Sequence, residues 1–182
     1  MKVKDIASIP GLKAIYPRVF EDIRGYFFES WNHDNFSSQV HGEAFVQDNE
    51  SYSKKGTLRG MHLQLNNPQG KLVRVSEGRV FDAVVDCRKG SKTFGESFGI
   101  ELSSANKIQL WIPPGFAHGF LVLSDFAKFN YKCTQYYDSQ SEKTILWNDP
   151  SVNIKWPLDS IEEKYMSEKD LSGISFKAFA DL

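Results

Sequence analysis

Histidine, glutamine and lysine recur at short spacing in the middle of this chain. Gly56-Thr-Leu-Arg-Gly-Met-His62-Leu-Gln64 is followed by Lys71 and Gly78, and later by Pro113-Pro-Gly-Phe-Ala-His118. His62 and His118 are each flanked by glycine and apolar residues, whereas His33 and His41 sit in polar surroundings and read as solvated imidazoles. A divalent ion wants three or four strong donors. Two imidazoles, an amide and an ammonium do not supply them, so no metal and no cofactor is expected. The same groups suit proton transfer. A histidine can take a proton from a carbon beside a ketone, a lysine or other donor can stabilise the enolate, and a separate acid can reprotonate the far face.

Groups of this kind need a rigid frame, and the surrounding sequence reads as strands. Residues 71–76 run into a Glu77-Gly78 turn and continue as 80–86. Segments 98–102, 107–112, 119–123 and 126–137 follow, with turn signals at 103–106, 113–115 and Ser124-Asp125. Within the last segment Phe129, Tyr131 and Cys133 share a face, because strand side chains repeat every two residues. Helical periodicity is confined to residues 31–40 and a short stretch near Ser167. Short strands at this spacing predict an all-β antiparallel sandwich or barrel rather than a βαβ fold.

Composition narrows the function classes. The 182 residues and 20.8 kDa predict one domain, 1–182, with enough buried surface to need no staple. Hydrophobic residues at 41% and charged residues at 25% place the chain among globular proteins rather than disordered ones. A net charge of −1 provides no broad basic field, so nucleic acid is not an expected partner. Cys87 and Cys133 read as reduced, partly buried thiols, since two cysteines make no disulfide framework. Asp5, Pro10 and Lys13 interrupt the N-terminus before a signal-length apolar run forms, and no run approaches the ~18 residues of a membrane span. A cytoplasmic protein with no membrane partner is the expectation. Two decoys fail. Arg24-Gly25-Tyr-Phe-Phe-Glu29 has Phe27 where an RNA-recognition strand needs Gly or Ala, and Gly90-Ser-Lys-Thr93 lacks the contiguous Gly-Lys of a phosphate loop.

The spacing of the first motif resembles the two halves of the cupin signature, in which histidines and a carboxylate hold a metal inside a small jelly roll. His62 and His118 fall on the first and last ligand places and Gln64 on the second. Counting back from Gly78 puts Lys71 on the carboxylate place, and counting forward from Gln64 puts Gln69 there. Longer strings carry a closer resemblance. Phe20-Glu-Asp-Ile-Arg-Gly-Tyr-Phe-Phe-Glu29, Gln47-Asp-Asn-Glu-Ser51, Lys71-Leu-Val-Arg-Val75, Gln109-Leu-Trp-Ile-Pro-Pro-Gly-Phe-Ala-His-Gly-Phe120, Tyr131-Lys-Cys-Thr134, Ile145-Leu-Trp-Asn-Asp-Pro150 and Ser167-Glu-Lys-Asp170 occur in this order. Together they resemble the dTDP-4-dehydrorhamnose 3,5-epimerase family over residues 4–172.

The resemblance implies a metal-independent cupin-type jelly roll with a few short flanking helices. It implies His62 as general base, Asp170 as the carboxylate orienting it, Tyr131 as the acid on the opposite face and Lys71 as the cation at oxygen 4. Nucleotide and diphosphate contacts are implied for Arg24, Glu29, Gln47, Asn49, Arg59, His118, Glu142 and Lys169. The substrate it implies is a dTDP-4-dehydro-6-deoxy-hexose. A homodimer is implied too, its N-terminal strands exchanged so that Arg24 and Glu29 serve the neighbouring site.

Plainer readings stand beside these roles. Asp170 lies three residues after Ser167, the spacing of a helix capping box, and Asp82 competes with it as the partner of His62. Glu142 stands three after Ser139 with the same ambiguity. Arg24 and Glu29 would make a plain surface pair, Tyr131 a core tyrosine, and Lys71 a solvated ammonium. Among activities, a 3-only or 5-only epimerase, a ketoisomerase on a related nucleotide sugar and a non-catalytic sugar-binding cupin are the alternatives.

Overall fold

Val84 points into one apolar cluster while its neighbours Ala83 and Val85 point into another. Both faces of the central strands are therefore covered, which is why they read as continuous apolar runs. The computed structural model describes residues 1–182. Along the chain come β1 (Lys2–Asp5), β2 (Lys13–Tyr16), β3 (Val19–Asp22), β4 (Gly25–Phe28), α1 (His33–Gln39), β5 (Gln47–Lys54) and β6 (Leu58–Gln64). Then follow β7 (Lys71–Glu77), β8 (Arg79–Asp86), β9 (Ser97–Ser103), β10 (Gln109–Ile112), β11 (Phe116–Val122), β12 (Phe126–Cys133), β13 (Glu142–Thr144), α2 (Glu168–Leu171) and α3 (Phe176–Ala180). Two sheets result, ordered β1-β2-β10-β7-β12-β5 and β13-β6-β11-β8-β9, with every ladder antiparallel. This is the all-β jelly-roll sandwich expected from the sequence, with short helices on its flanks.

The sheets meet face to face through one core. Val73, Val75, Leu110, Ile112 and Phe129 come from the first, and Val80, Val84, Leu102, Phe116, Phe120 and Val122 from the second. Phe129 is stacked on Phe120 across this interface, with ring centroids 4.3 Å apart. The outer face of the second sheet presents Met61, Leu63 and Val85, which Ile145, Val152, Phe176 and Phe179 of the C-terminal segment cover. On the outer face of the first sheet, Leu72 and Trp111 pack under Phe36 of α1.

Several sequence expectations need correction. The segment read as 126–137 pairs only to Cys133, because side-chain amides then take over the backbone: Gln69 bonds the carbonyl of Gln135, Gln64 that of Tyr136, and Gln47 the N–H of Tyr137. The segment read as 107–112 begins at Gln109, since Lys107 takes a positive φ of 56° within the turn before it. His41 is not a solvated imidazole; it is half-buried and stacked 4.8 Å from the Trp111 ring. Helix α3 was not anticipated from periodicity, and neither were strands β1 to β6 traced individually. Cys87 and Cys133 are both free and buried, and burial pushes the Cys87 thiol up to about 12. No helix is long and apolar enough to cross a membrane.

Candidate active site

The inward rows of the facing sheets become polar at one end, and a cavity of about 430 Å³ opens there. Lys71 extends the inward row of Val73 and Val75 on β7, and Tyr131 that of Phe129 on β12. Gln47, Asn49 and Ser51 contribute from β5. The second sheet supplies Arg59, His62 and Gln64 from β6 and His118 from β11. Glu142 enters from β13, and Lys169 and Asp170 from α2.

Strict alternation would send Arg59 and His62 to opposite faces. A bulge at Gly60 resolves this: Phe120 pairs with Arg59 and His118 with His62, so the register slips between them. Gly60 has φ +116°, and a Cβ there would come within 2.6 Å of Gly119 Cα and 2.7 Å of the His118 carbonyl. Only glycine fits. The Gly60 N–H donates to Asp170 Oδ1 at 3.1 Å.

Asp170 combines roles that the sequence offered as alternatives. Its Oδ1 lies 2.7 Å from His62 Nε2, while its Oδ2 accepts from the Ser167 hydroxyl at 2.6 Å and the Ser167 N–H at 3.3 Å. The Ser167 oxygen in turn caps α2 by accepting from the Asp170 N–H. Burial alone would raise this carboxyl, but His62, Ser167 and the Gly60 amide outweigh it and hold the group well below the usual carboxylate range. Asp82 instead serves His118, whose Nε2 lies 2.9 Å from its Oδ2. The two histidines are thus cross-strand neighbours with separate carboxylates. Burial raises the Asp82 carboxyl, with His118 and Lys71 opposing.

On the facing wall, burial lowers the Lys71 ammonium, with Glu142 and Asp82 pulling the other way. Lys71 is therefore no solvated surface lysine. Burial also raises the Tyr131 phenol, so the hydroxyl stays protonated at neutral pH. At the mouth, Tyr137 donates to Glu142 Oε2 at 2.7 Å, the Lys169 ammonium bonds the same oxygen, and Glu142 Oε1 lies 3.9 Å from His62 Nδ1. Burial would raise the Glu142 carboxyl, but Lys169, Tyr137 and His62 prevail and lower it. Glu142 caps no helix; it stands in β13.

Arg24 and Glu29 do not join this cavity. Hairpin β3–β4 pairs with neither large sheet, and Arg24 bonds Asp22 from an 86% exposed side chain. Glu29 accepts from the side chains of Asn32 and Asn35 at the start of α1. The surface pair suggested by their spacing does not form either. Three further cavity residues were missed from sequence: Ser51, whose buried hydroxyl has no partner, Cys133, and Tyr137. The polar run Gln47-Asp-Asn-Glu-Ser51 and the strand parity of Cys133 were the available signals for the first two. Gln69 also lines the cavity, but its amide is spent on the Gln135 carbonyl. No three His, Cys, Asp or Glu side chains converge at metal-holding distance.

A cupin-type sandwich in which an imidazole held beside a carboxylate faces a half-buried phenol and a half-buried ammonium across the sheets sets acid–base groups around a cavity for a ligand. The family model for dTDP-4-dehydrorhamnose 3,5-epimerase matches residues 7–178, and the chain belongs to that family. It is similar to the dTDP-4-dehydrorhamnose 3,5-epimerase of Pseudomonas aeruginosa, 51% identical over 96% of this chain and 94% of the relative. The enzyme of that name from Salmonella typhimurium is 52% identical over 90% of this chain and 89% of its own length. A solved structure of the dTDP-6-deoxy-D-glucose-3,5-epimerase of Legionella pneumophila, in complex with dTDP-4-keto-L-rhamnose, superposes with a TM-score of 0.93. It is 46% identical and covers 97% of this chain and 93% of that one.

Proposed function

We propose that the chain inverts carbons 3 and 5 of dTDP-4-dehydro-6-deoxy-D-glucose to give dTDP-4-dehydro-L-rhamnose. The observation carrying this is the His62–Asp170 contact on one wall with Tyr131 on the other. With Nε2 held against Asp170, His62 Nδ1 is free to take the proton beside the ketone. The carbon–hydrogen electron pair becomes the enolate double bond, and the charge on oxygen 4 is met by Lys71. Tyr131 returns a proton from the opposite face; solvent water then takes the proton from His62 and restores the phenol, and the same steps invert the second carbon. Arg59 and Lys169, cations at the exposed rim, suit a diphosphate, with Gln47, Asn49, His118 and Glu142 completing the contacts.

The active unit in this reading is a cytoplasmic homodimer of single-domain chains. Hairpin β3–β4, with Phe20 and Phe27 half-exposed or more and no place in either sheet, reaches the neighbouring chain and brings Arg24 and Glu29 to its cavity. A chain sedimenting as a fully active monomer at micromolar concentration would remove that part. Proton NMR of the keto-sugar in deuterium oxide tests the reaction. Exchange at carbons 3 and 5 with inversion is expected. Exchange at one carbon would make it a mono-epimerase, and none would leave a binding module.

A further inference from the structure

Gln64 stands on the second histidine place of the cupin pattern, is 5% exposed, and lies two residues from His62 on the same face of β6. Its amide is fully engaged. Nε2 donates to the Asn67 carbonyl at 3.1 Å and the Tyr136 carbonyl at 3.3 Å, while Oε1 accepts from the Asp138 N–H at 2.9 Å. A side-chain amide presents a donor and an acceptor as a peptide group does, so it bonds the carbonyl and N–H on either side of Tyr137 as a neighbouring strand would. A neutral imidazole has one donor and one acceptor and cannot make three such bonds.

Tyr137 therefore sits at the apex of a clamped segment, with its own N–H taken by Gln47 Oε1 at 2.9 Å. Its ring is 54% exposed at the cavity mouth and its hydroxyl holds Glu142, which pairs across β13 and β6 with Gln64 itself. We propose that Gln64 is a positioning residue that fixes the 134–141 loop, so that Tyr137 and Glu142 form a preorganised mouth for the nucleotide end of the substrate. This rests on the nucleotide-sugar reading above. A flat ring beside an acceptor-rich rim recognises a planar base better when it is held still than when the loop must be ordered on binding.

Four variants test it: Gln64→Met, Tyr137→Ala, the two combined, and Gln64→Glu as a polar replacement of the same size. Affinity is read as the Kd for dTDP, and turnover as KM against kcat. Gln64→Met is expected to raise both Kd and KM by about tenfold and to lower kcat by less than about threefold, since three buried bonds are lost at the mouth but none at His62. Glutamate keeps the acceptor for Asp138 and falls between Met and wild type. Combined with Tyr137→Ala, the Met change should add less than about twofold, because it acts through the same ring. Amide hydrogen exchange supplies a readout independent of ligand: the Asp138 N–H should exchange faster in the Met variant, which lacks its acceptor, and stay protected in the Glu variant. Unchanged protection of Asp138 in the Met variant, unchanged dTDP affinity with a loosened loop, or losses that multiply in the double variant would each overturn the proposal. If Gln64→Met does not fold, the Glu variant decides through dTDP affinity and KM against kcat, since it loses both donations to the Asn67 and Tyr136 carbonyls. Wild-type protein that neither binds dTDP nor exchanges sugar protons would sink the nucleotide-sugar reading, while Asp138 exchange still reports on the clamp.

Discussion

Replacing Asp170 by Asn isolates the charge that holds His62. The carboxylate accepts the Gly60 N–H on Oδ1, which also lies 2.7 Å from His62 Nε2, and the Ser167 N–H and hydroxyl on Oδ2. An amide of the same shape must turn its NH2 toward one of these pairs. If it faces His62, the imidazole has to present Nε2 as an acceptor, and its proton moves to Nδ1, the nitrogen needed as base. If it faces Ser167, the hydroxyl must give up its role as donor, and the imidazole still loses the charge that would stabilise it once protonated. Removing a general base's contribution costs about 10²–10⁴-fold, and a wrong tautomer alone reaches the upper end of that range. Loss of charge-assisted bonds from a 4% exposed carboxylate should also cost about 1–3 kcal/mol of stability.

Ser167→Ala supplies the contrast. It removes the cap of α2 and one bond to Oδ2 but leaves Oδ1 against His62, so about 1 kcal/mol of stability should go. The fall in rate should stay under about tenfold. Deuterium exchange into the keto-sugar at substrate saturation, with urea unfolding of the same samples, separates the two effects. An Asp170→Asn enzyme within tenfold of wild type, or a Ser167→Ala enzyme as slow as the Asn variant, would refute the reasoning.

Tyr131→Phe keeps the ring packing and deletes only the hydroxyl, so deuterium exchange should continue while inverted product falls at least about 10²-fold. Equal loss of both would show that Tyr131 positions the sugar rather than delivering the proton. Chelator treatment should leave turnover unchanged and elemental analysis should find no stoichiometric divalent ion; a tightly bound ion whose removal stops turnover would overturn this. Burial pushes the Asp86 carboxyl up, but Arg88, Thr93 and Ser91 outweigh it and hold it well below the usual range. A lowered carboxyl adds stability that is fully present above its unfolded value, near pH 4, and is lost as acid protonates it. Asp86→Asn should therefore cost about 1–3 kcal/mol at pH 7 and less at pH 3 by urea midpoint; equal losses at both would refute the assignment.

How far the sequence could be read depended on what each strand faces. Strands β8 and β11 were legible because both faces bury apolar side chains, and β7 because Leu72 is buried behind its inward Val73 and Val75. Strand β5 was not read as a strand, since its inward residues Gln47, Asn49 and Ser51 line a polar cavity and its outward ones meet solvent. Alternation carries a signal only where one face is dry. The choice between cap and dyad at Asp170 was open for a different reason. Counting by residue treats a carboxylate as one interaction, while its two oxygens serve two partners. Placing Arg24 and Glu29 at the cavity rested on family resemblance alone, and within one chain the hairpin that carries them stays apart from it.

The same two-sided use of side chains sets this cupin pattern apart from a metal centre. A metal would need the lone pairs of His62 and His118 to converge, and the cross-strand pairing of the two residues brings their backbones close enough for that. Each Nε2 is instead held by its own carboxylate, Asp170 beyond the β6 bulge and Asp82 on β8. With Nε2 taken up beside a carboxylate, each imidazole has only Nδ1 left, so the pair does not share a focus. Gln64 is committed to backbone, and the carboxylate place falls on Lys71 or Gln69, neither of which is an anionic ligand. His62, His118 and Gln64 are each committed to a different partner, and the cavity beside them is left for an organic substrate.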